Sequence, residues 1–274
     1  MMKISIICTV KNGENTIKET IESIINQSYK FWEMIVVDDG STDATIDIVL
    51  AFIAIDKRIK LLPTSGVGRA KALNLAIEST KGEYIVNIDI DDPVHPNKLE
   101  TQLKCFENNS HCALIGTDSE FIIGNNKPSW EEIDYQEGNI QIVNEILPYR
   151  NPLSHSSIMI KANILKECGG YNEGLSSQVD YDLWIRLAEK NYLLGYFPYK
   201  LSSKRIHQNQ SFENKKRLKY LIGSFKVRKS AIKRLKVPLS AYLYLYISFF
   251  YGLFLPQSVR TLVRRLLKGL KILK

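Results

Sequence analysis

The sequence predicts an α/β domain built on a mostly parallel sheet flanked by helices, followed by a basic and apolar helical tail. Three observations carry this. Strand-like apolar runs alternate with amphipathic helical stretches through the first half, the pattern of strands joined by crossover helices. Polar residues crowd at the ends of three of those runs, where open parallel sheets bind ligands. Charge is divided unevenly as well. Residues 200–274 hold 19 of the 37 Lys and Arg against the single acid Glu213, so residues 1–199 carry 18 basic and 28 acidic residues.

In order, the spacing predicts a strand over residues 4–10, a helix over 16–26 and a strand over 33–37. A helix over 43–55, a strand over 59–62, a helix over 67–79 and a strand over 84–88 follow, and the last ends in a cluster of aspartates. A helix over 97–106 comes next. Strands are then expected at 111–123 and 155–160, a helix at 180–190, and two strands at 193–197 and 200–206. Residues 1–211 form one domain in this reading, with a ligand-binding half to about 110 and a second-substrate half over 111–211; residues 212–274 form the tail. At 45% hydrophobic residues in 274, the chain has material for one sizeable core. The four cysteines, Cys8, Cys105, Cys112 and Cys168, lie in or beside apolar stretches without metal-ligand spacing, which reads as buried free thiols. Lys3 runs straight into a strand without an apolar leader, so a cytoplasmic catalytic domain is expected.

Thr9, Asp38-Asp39-Gly40-Ser41 and Asp89-Ile90-Asp91-Asp92 end three of the strands and should converge on one crevice. Three carboxylates within four positions repel one another unless a cation compensates, and hard oxygen ligands suit Mg²⁺ or Mn²⁺. The alternative for Asp92, before Pro93, is a turn and helix cap. In the other cluster one of Asp38 and Asp39 can cap the following turn, which frees its neighbour to accept hydrogen bonds from a nucleobase.

These motifs, in order, resemble the family 2 glycosyltransferases of bacterial surface-polysaccharide synthesis. The resemblance runs through Thr9-Val10-Lys11-Asn12-Gly13-Glu14, residues 23–29, 38–43, 66–74 and 82–85, and Asp89-Ile90-Asp91-Asp92. It continues through residues 151–159, Gly169-Gly170-Tyr171, residues 180–187 and Arg205-Ile206-His207. It implies the nucleotide-diphospho-sugar transferase (GT-A) fold, with a Rossmann-like sheet, and inverting transfer from a nucleotide-sugar, with uracil the usual base. Thr9 and Glu14 would then lie against the nucleotide, Asp39 would meet the base, Arg69 the base or phosphates, and Asp89 the ribose. Asp91 would ligate Mn²⁺ or Mg²⁺, with His207 near the metal or diphosphate. Asp180 is the implied general base, with Asp182 as fallback; capping of the following helix is the structural alternative for both. The family's Glu-Asp pair is here Val179-Asp180, which removes a neighbouring carboxylate. His155 either lines the acceptor pocket or holds a loop, while Trp184 reads as core.

In residues 258–274 leucines and valines recur at helical spacing, with Arg260, Arg264, Arg265, Lys268 and Lys271 between them. This suits a helix in a membrane interface, or one docked on its own domain. The uncharged run 239–255 is shorter than the ~20 residues that span a bilayer and reads as interfacial or re-entrant. The expected partners are a nucleotide-sugar donor, a lipid-linked or polysaccharide acceptor, and the inner face of the cell membrane. A nucleic-acid module would draw its charge almost wholly from the leucine-rich tail, so nucleic acid is not an expected partner. A nucleotidyltransferase would need a glycine-rich pyrophosphorylase loop that is absent. The remaining alternative is a degenerate, nucleotide-sugar-binding scaffold without turnover, motivated by Val179.

Overall fold

A computed structural model describes residues 3–130, 140–206 and 217–255. The first half follows the predicted alternation: β1 (Ile4–Val10), α1 (Ile17–Ile25), β2 (Trp32–Asp38), α2 (Thr45–Ile55), β3 (Ile59–Pro63), α3 (Arg69–Glu78), β4 (Tyr84–Asn87) and α4 (Lys98–Asn108). Then come β5 (Cys112–Ile123), β6 (Gln141–Ile142), a 3-10 turn at His155–Ser157, β7 (Met159–Lys161), α5 (Ala162–Glu167), α6 (Val179–Glu189) and β8 (Leu193–Ile206). Two further helices, α7 (Arg217–Arg234) and α8 (Ser240–Phe254), follow.

The strands form one eight-stranded sheet in the order β3-β2-β1-β4-β7-β5-β8-β6. β3, β2, β1 and β4 are parallel neighbours, as are β5 and β8. The exceptions to the parallel expectation are β7, which runs antiparallel between β4 and β5, and the short edge strand β6, antiparallel to β8. The run read as a strand over 155–160 is strand only from Met159, because the Ser157 N–H turns back to the Ser154 carbonyl at 3.1 Å. The two strands expected at 193–197 and 200–206 are one. β8 carries Pro198 through register shifts against Thr117 and Asp118, the kind of irregularity at which a sheet tolerates proline.

Period-two burial separates the two faces of the sheet. Ile4, Ile6, Cys8 and Val10 of β1 join Trp32, Met34 and Val36 of β2 under α1 and α4. Ile7, Ile35 and Val37 point the other way, into a cluster with α3, α6 and the Val227 and Ala231 side chains of α7. All four cysteines are free thiols, three of them buried and Cys168 partly so. Parallel pairing sets the ends of β1, β2 and β4 side by side, with Val10 opposite Asp38 and Ile7 opposite Asn87.

Candidate active site

The crevice is built first from interlocking loops. Beyond β1, the Asn12 N–H donates to Ser41 Oγ at 2.8 Å and the Thr42 N–H returns to Asn12 Oδ1 at 2.8 Å. Glu14 lies against the start of α2. Its N–H donates to Asp43 Oδ2 at 3.1 Å and its carboxylate accepts the Ala44 N–H at 3.1 Å. Thr9 is the one residue of β1 that is not fully buried.

The paired aspartates after β2 divide their work. Asp38 caps the turn, accepting the Gly40 and Ser41 N–H groups at 3.1 and 2.9 Å. Asp39 is not left free. It accepts from Thr64 Oγ1 (2.8 Å), the Val67 N–H (2.6 Å) and the Gly68 N–H (3.0 Å), and so holds the loop that launches α3. Three of a carboxylate's roughly four acceptor sites are thereby used, which leaves one for a ligand.

That loop delivers Arg69, the first residue of α3. Its NH2 donates to Asp89 Oδ1 at 2.5 Å and to His155 Nδ1 at 3.1 Å. Asn87 Nδ2 also donates to His155 Nδ1, at 3.0 Å, while His155 Nε2 lies 2.7 Å from the Tyr171 hydroxyl. Two donors on Nδ1 place the ring proton on Nε2, donated to Tyr171. Burial, then the Arg69 charge, holds the His155 pKa down at about 4, so the imidazole is neutral near pH 7. His155 therefore ties a loop to the donor side, the second of its two expected roles. Sequence reading missed Asn87 and gave Tyr171 no role, because residues 69, 87, 155 and 171 meet only through the fold.

The aspartate loop after β4 is held from both sides. Thr20 Oγ1 donates to the Ile90 carbonyl at 2.8 Å. Arg205, 4% exposed, donates from Nε to the Asp91 carbonyl (3.1 Å) and from NH2 to Glu19 (2.6 Å). Asp92 is no helix cap. It is buried and accepts the Arg205 N–H at 3.0 Å and the Ser156 hydroxyl at 2.7 Å. Burial, then the Asp89 and Asp91 charges, pushes its carboxyl up to about 8.

Among the described residues, no three His, Cys, Asp or Glu side chains cluster as a metal cage. Asp89 pairs with Arg69, and Asp92 accepts from Ser156 and the Arg205 N–H; Asp91 is the carboxylate that the Asp-x-Asp reading assigns to a metal. One carboxylate completed by diphosphate oxygens and water fits the chemistry of Mg²⁺ or Mn²⁺. His207, the other predicted ligand, lies outside the described residues.

On the far wall, Asp180 stands in the first turn of α6 and accepts from Asn151 Nδ2 at 2.8 Å. Asn151 begins the segment that delivers His155 to Arg69, so this bond sets Asp180 beside the same network. Asp182, the fallback, is engaged by Arg186 Nε at 2.8 Å, and Arg186 in turn straps the Cys168 and Gly170 carbonyls at 2.6 Å each. Val179 is buried in the core, as is Trp184. The two walls are tied at Asn74 of α3, which exchanges hydrogen bonds with the Tyr171 N–H (2.8 Å) and carbonyl (2.9 Å).

A parallel half-sheet whose strand ends carry a loop of aspartates, faced by an acid on an opposite helix, places a ligand crevice at the strand ends. Comparison with known proteins gives the family. The chain belongs to glycosyl transferase family 2, whose model matches residues 5–166. It is 32% identical over 255 residues to EpsE of Bacillus subtilis (strain 168), covering 89% of this chain and 86% of that protein. It is 30% identical over 235 residues to the O-antigen biosynthesis glycosyltransferase WbnJ of Escherichia coli, covering 84% and 90%. The fold is that of S. aureus TarS 1–349 in its complex with UDP-GlcNAc (TM-score 0.64, 18% identity, 92% of this chain and 81% of that one). It is equally that of mannosyltransferase PcManGT from Pyrobaculum calidifontis in complex with GDP-Man and Mn²⁺ (TM-score 0.67, 17% identity, 91% and 71%). The GT-A architecture and a transferase activity follow.

Proposed function

We propose that the chain is an inverting transferase that moves a sugar from a UDP-sugar to a lipid-linked or polysaccharide acceptor during synthesis of a cell-surface glycan. Capsule, O-antigen and exopolysaccharide are the glycans in view, and the inner face of the membrane is its place of work. The observation that carries the reading is the Asn151–Asp180 hydrogen bond, which holds an acid at the start of α6 against the segment that also brings His155 to Arg69. The relation to WbnJ supports a glycan acceptor, and the UDP-GlcNAc complex of TarS supports a uridine donor.

In this reading Thr9 and Glu14 lie against the nucleotide, Asp39 meets the base, Asp89 meets the ribose, and Arg69 meets the base or phosphates. Asp180, aimed by Asn151, removes the acceptor hydroxyl's proton as its oxygen bonds the anomeric carbon. The bond to the nucleoside diphosphate breaks on the opposite face, which inverts the centre. Asp91, with His207 nearby, would hold a Mg²⁺ or Mn²⁺, which when bound would supply Lewis-acid stabilisation of the departing diphosphate.

The test is nucleoside diphosphate release from a panel of nucleotide-sugars, with and without Mn²⁺ or Mg²⁺ and with membrane extract as acceptor source. Wild type is compared with Asp91→Ala and Asp180→Asn. Release from one donor that requires metal and is lost in both variants is expected. Full activity in Asp180→Asn moves the base elsewhere. Donor binding without turnover for every donor selects the scaffold reading that Val179 motivates.

A further inference from the structure

α7 and α8 form an antiparallel hairpin joined by residues 235–239. Leu221 lies against Gly252, and Phe225 packs on Phe249 with ring centroids 4.8 Å apart. Ile232, Ala241 and Leu245 make the small core between the two helices. α8 buries only Ala241, Leu245 and Gly252. Its outer face is largely apolar and exposed: Leu239, just before it, and Leu243, Tyr244, Tyr246, Ile247, Phe250, Leu253 and Phe254 are 37–83% exposed, Tyr244 and Tyr246 also touching Tyr149 and Phe225 at their inner edges.

An uncovered apolar face of this breadth marks an interaction site. Its partner is indicated by charge. Residues 217–255 contain no acid, and the outer face of α7 carries Leu218, Ile222, Lys226, Lys229 and Lys233 at helical spacing, all exposed, with Lys236 just beyond. Apolar side chains beside a row of exposed lysines, on a hairpin without an acid of its own, complement an anionic lipid surface. At 15 residues α8 is about 22 Å long, shorter than the ~30 Å hydrocarbon layer, and no described helix is long and apolar enough to cross a membrane.

The hairpin also has a direction. Ser177 Oγ lies 3.0 Å from the position a Cβ on Gly223 would take, and Arg234 pairs with Glu189 at 3.6 Å. α7 thus runs alongside α6 in the same sense. The apolar end of the hairpin (Leu218, Ile222, Leu253, Phe254) stands at the Asp180 end of α6, and the lysines run away from it.

We infer that the α7–α8 hairpin seats the enzyme on anionic bilayer through this face, so that the acceptor reaching Asp180 is an amphiphile held in that bilayer. This deepens the membrane part of the function proposed above and assigns the contact to residues distinct from the 258–274 segment.

The full chain is tested by co-sedimentation with vesicles rich in phosphatidylglycerol and with pure phosphatidylcholine. Two triple variants, Leu243→Asn/Ile247→Asn/Phe250→Asn and Lys226→Gln/Lys229→Gln/Lys233→Gln, are compared, each checked for native melting and UDP binding. Wild type is expected on the anionic vesicles. The lysine variant should lose roughly 100-fold in partition, about five-fold per lysine, and the apolar variant should not bind. Tryptophan in Phe254→Trp should be quenched by brominated acyl chains. Unchanged partition in both triples overturns the proposal, as does a wild-type dimer that the apolar triple makes monomeric while vesicles are ignored. Asp180→Asn must keep vesicle binding. If every donor fails in turnover while this binding pattern holds, the transferase mechanism falls and the membrane seat stands.

Discussion

Tyr171→Phe isolates the contact that joins the two walls of the crevice. The change removes one oxygen and leaves the His155 Nε2–H, 2.7 Å from that oxygen in the native protein, without its acceptor in a site that is 7% exposed. An orphaned buried donor costs about 1–3 kcal/mol, and for a domain of this size each kcal/mol lowers Tm by about 2–4 °C. A fall of roughly 3–10 °C is therefore expected by scanning calorimetry. A second effect distinguishes this network from simple packing. The Arg69 and Asn87 donors still require Nδ1 as acceptor, so the proton stays on Nε2, and the ring, no longer anchored by Tyr171, is free to turn out of reach of Arg69. The donor KM in the diphosphate-release assay should then rise several-fold more than kcat falls. A Tyr171→Phe enzyme with wild-type melting and wild-type donor KM refutes the idea that Tyr171 anchors His155.

Lys98 is fully buried, and its ammonium reaches only the Ser157 carbonyl, at 2.8 Å, which Gln102 also serves. Burial lowers its pKa from 10.5 to about 7, below the unfolded value, so it subtracts about 4 kcal/mol at pH 7 and progressively less as pH rises toward 10. Lys98→Met should raise denaturant stability at pH 7 by about 2–4 kcal/mol, with the gain shrinking at alkaline pH; a loss at pH 7 refutes this. Glu33, 2% exposed, shows the opposite sign. Burial would raise its pKa, but Lys60 (3.0 Å), Ser5 (2.8 Å), the Lys81 N–H (2.8 Å) and Lys3 (3.3 Å) outweigh it and bring the value to about 2. Its contribution, about 3 kcal/mol, is present above pH 4.5 and lost as pH falls from there toward 2. Glu33→Gln should flatten that acid limb of a stability–pH curve.

The donor half of the fold was legible because its information is local. Buried strands such as Ile4–Val10 and Trp32–Asp38 are near-continuous apolar runs, and Gly40 or Gly68 punctuates the turns that follow. The acceptor half was read less well because tertiary bonds override pattern there. Ser156 and Ser157 sit in a run that alternates like a strand, yet Ser156 holds Asp92 and the Ser157 N–H closes a turn. Pro198 looked like a strand end, and a register shift in β8 absorbs it. For the site, the positions of Asp39, Asp89 and Asp91 at strand ends came from the alternation, but the engagement of Asp39 by Val67 and Gly68 did not. Arg205 carried one available signal, a charge within a predicted strand. Lys98 carried none, since an amphipathic helix can place a lysine on either edge of its apolar stripe.

The antiparallel insertion of β7 has a consequence for how the chain is made. β1, β2 and β3 find their partners within the first 87 residues, but β4 keeps one edge bare until β7 is made, and β5 waits for β7 on one side and β8 on the other. β7 ends at Lys161 and β8 only at Ile206. At 5–20 residues per second, the ~80 residues after Ile123 take roughly 4–16 s to emerge. Throughout that interval a twelve-residue strand keeps at least one bare edge, which makes this stretch of synthesis a window in which the nascent enzyme is open to mispairing.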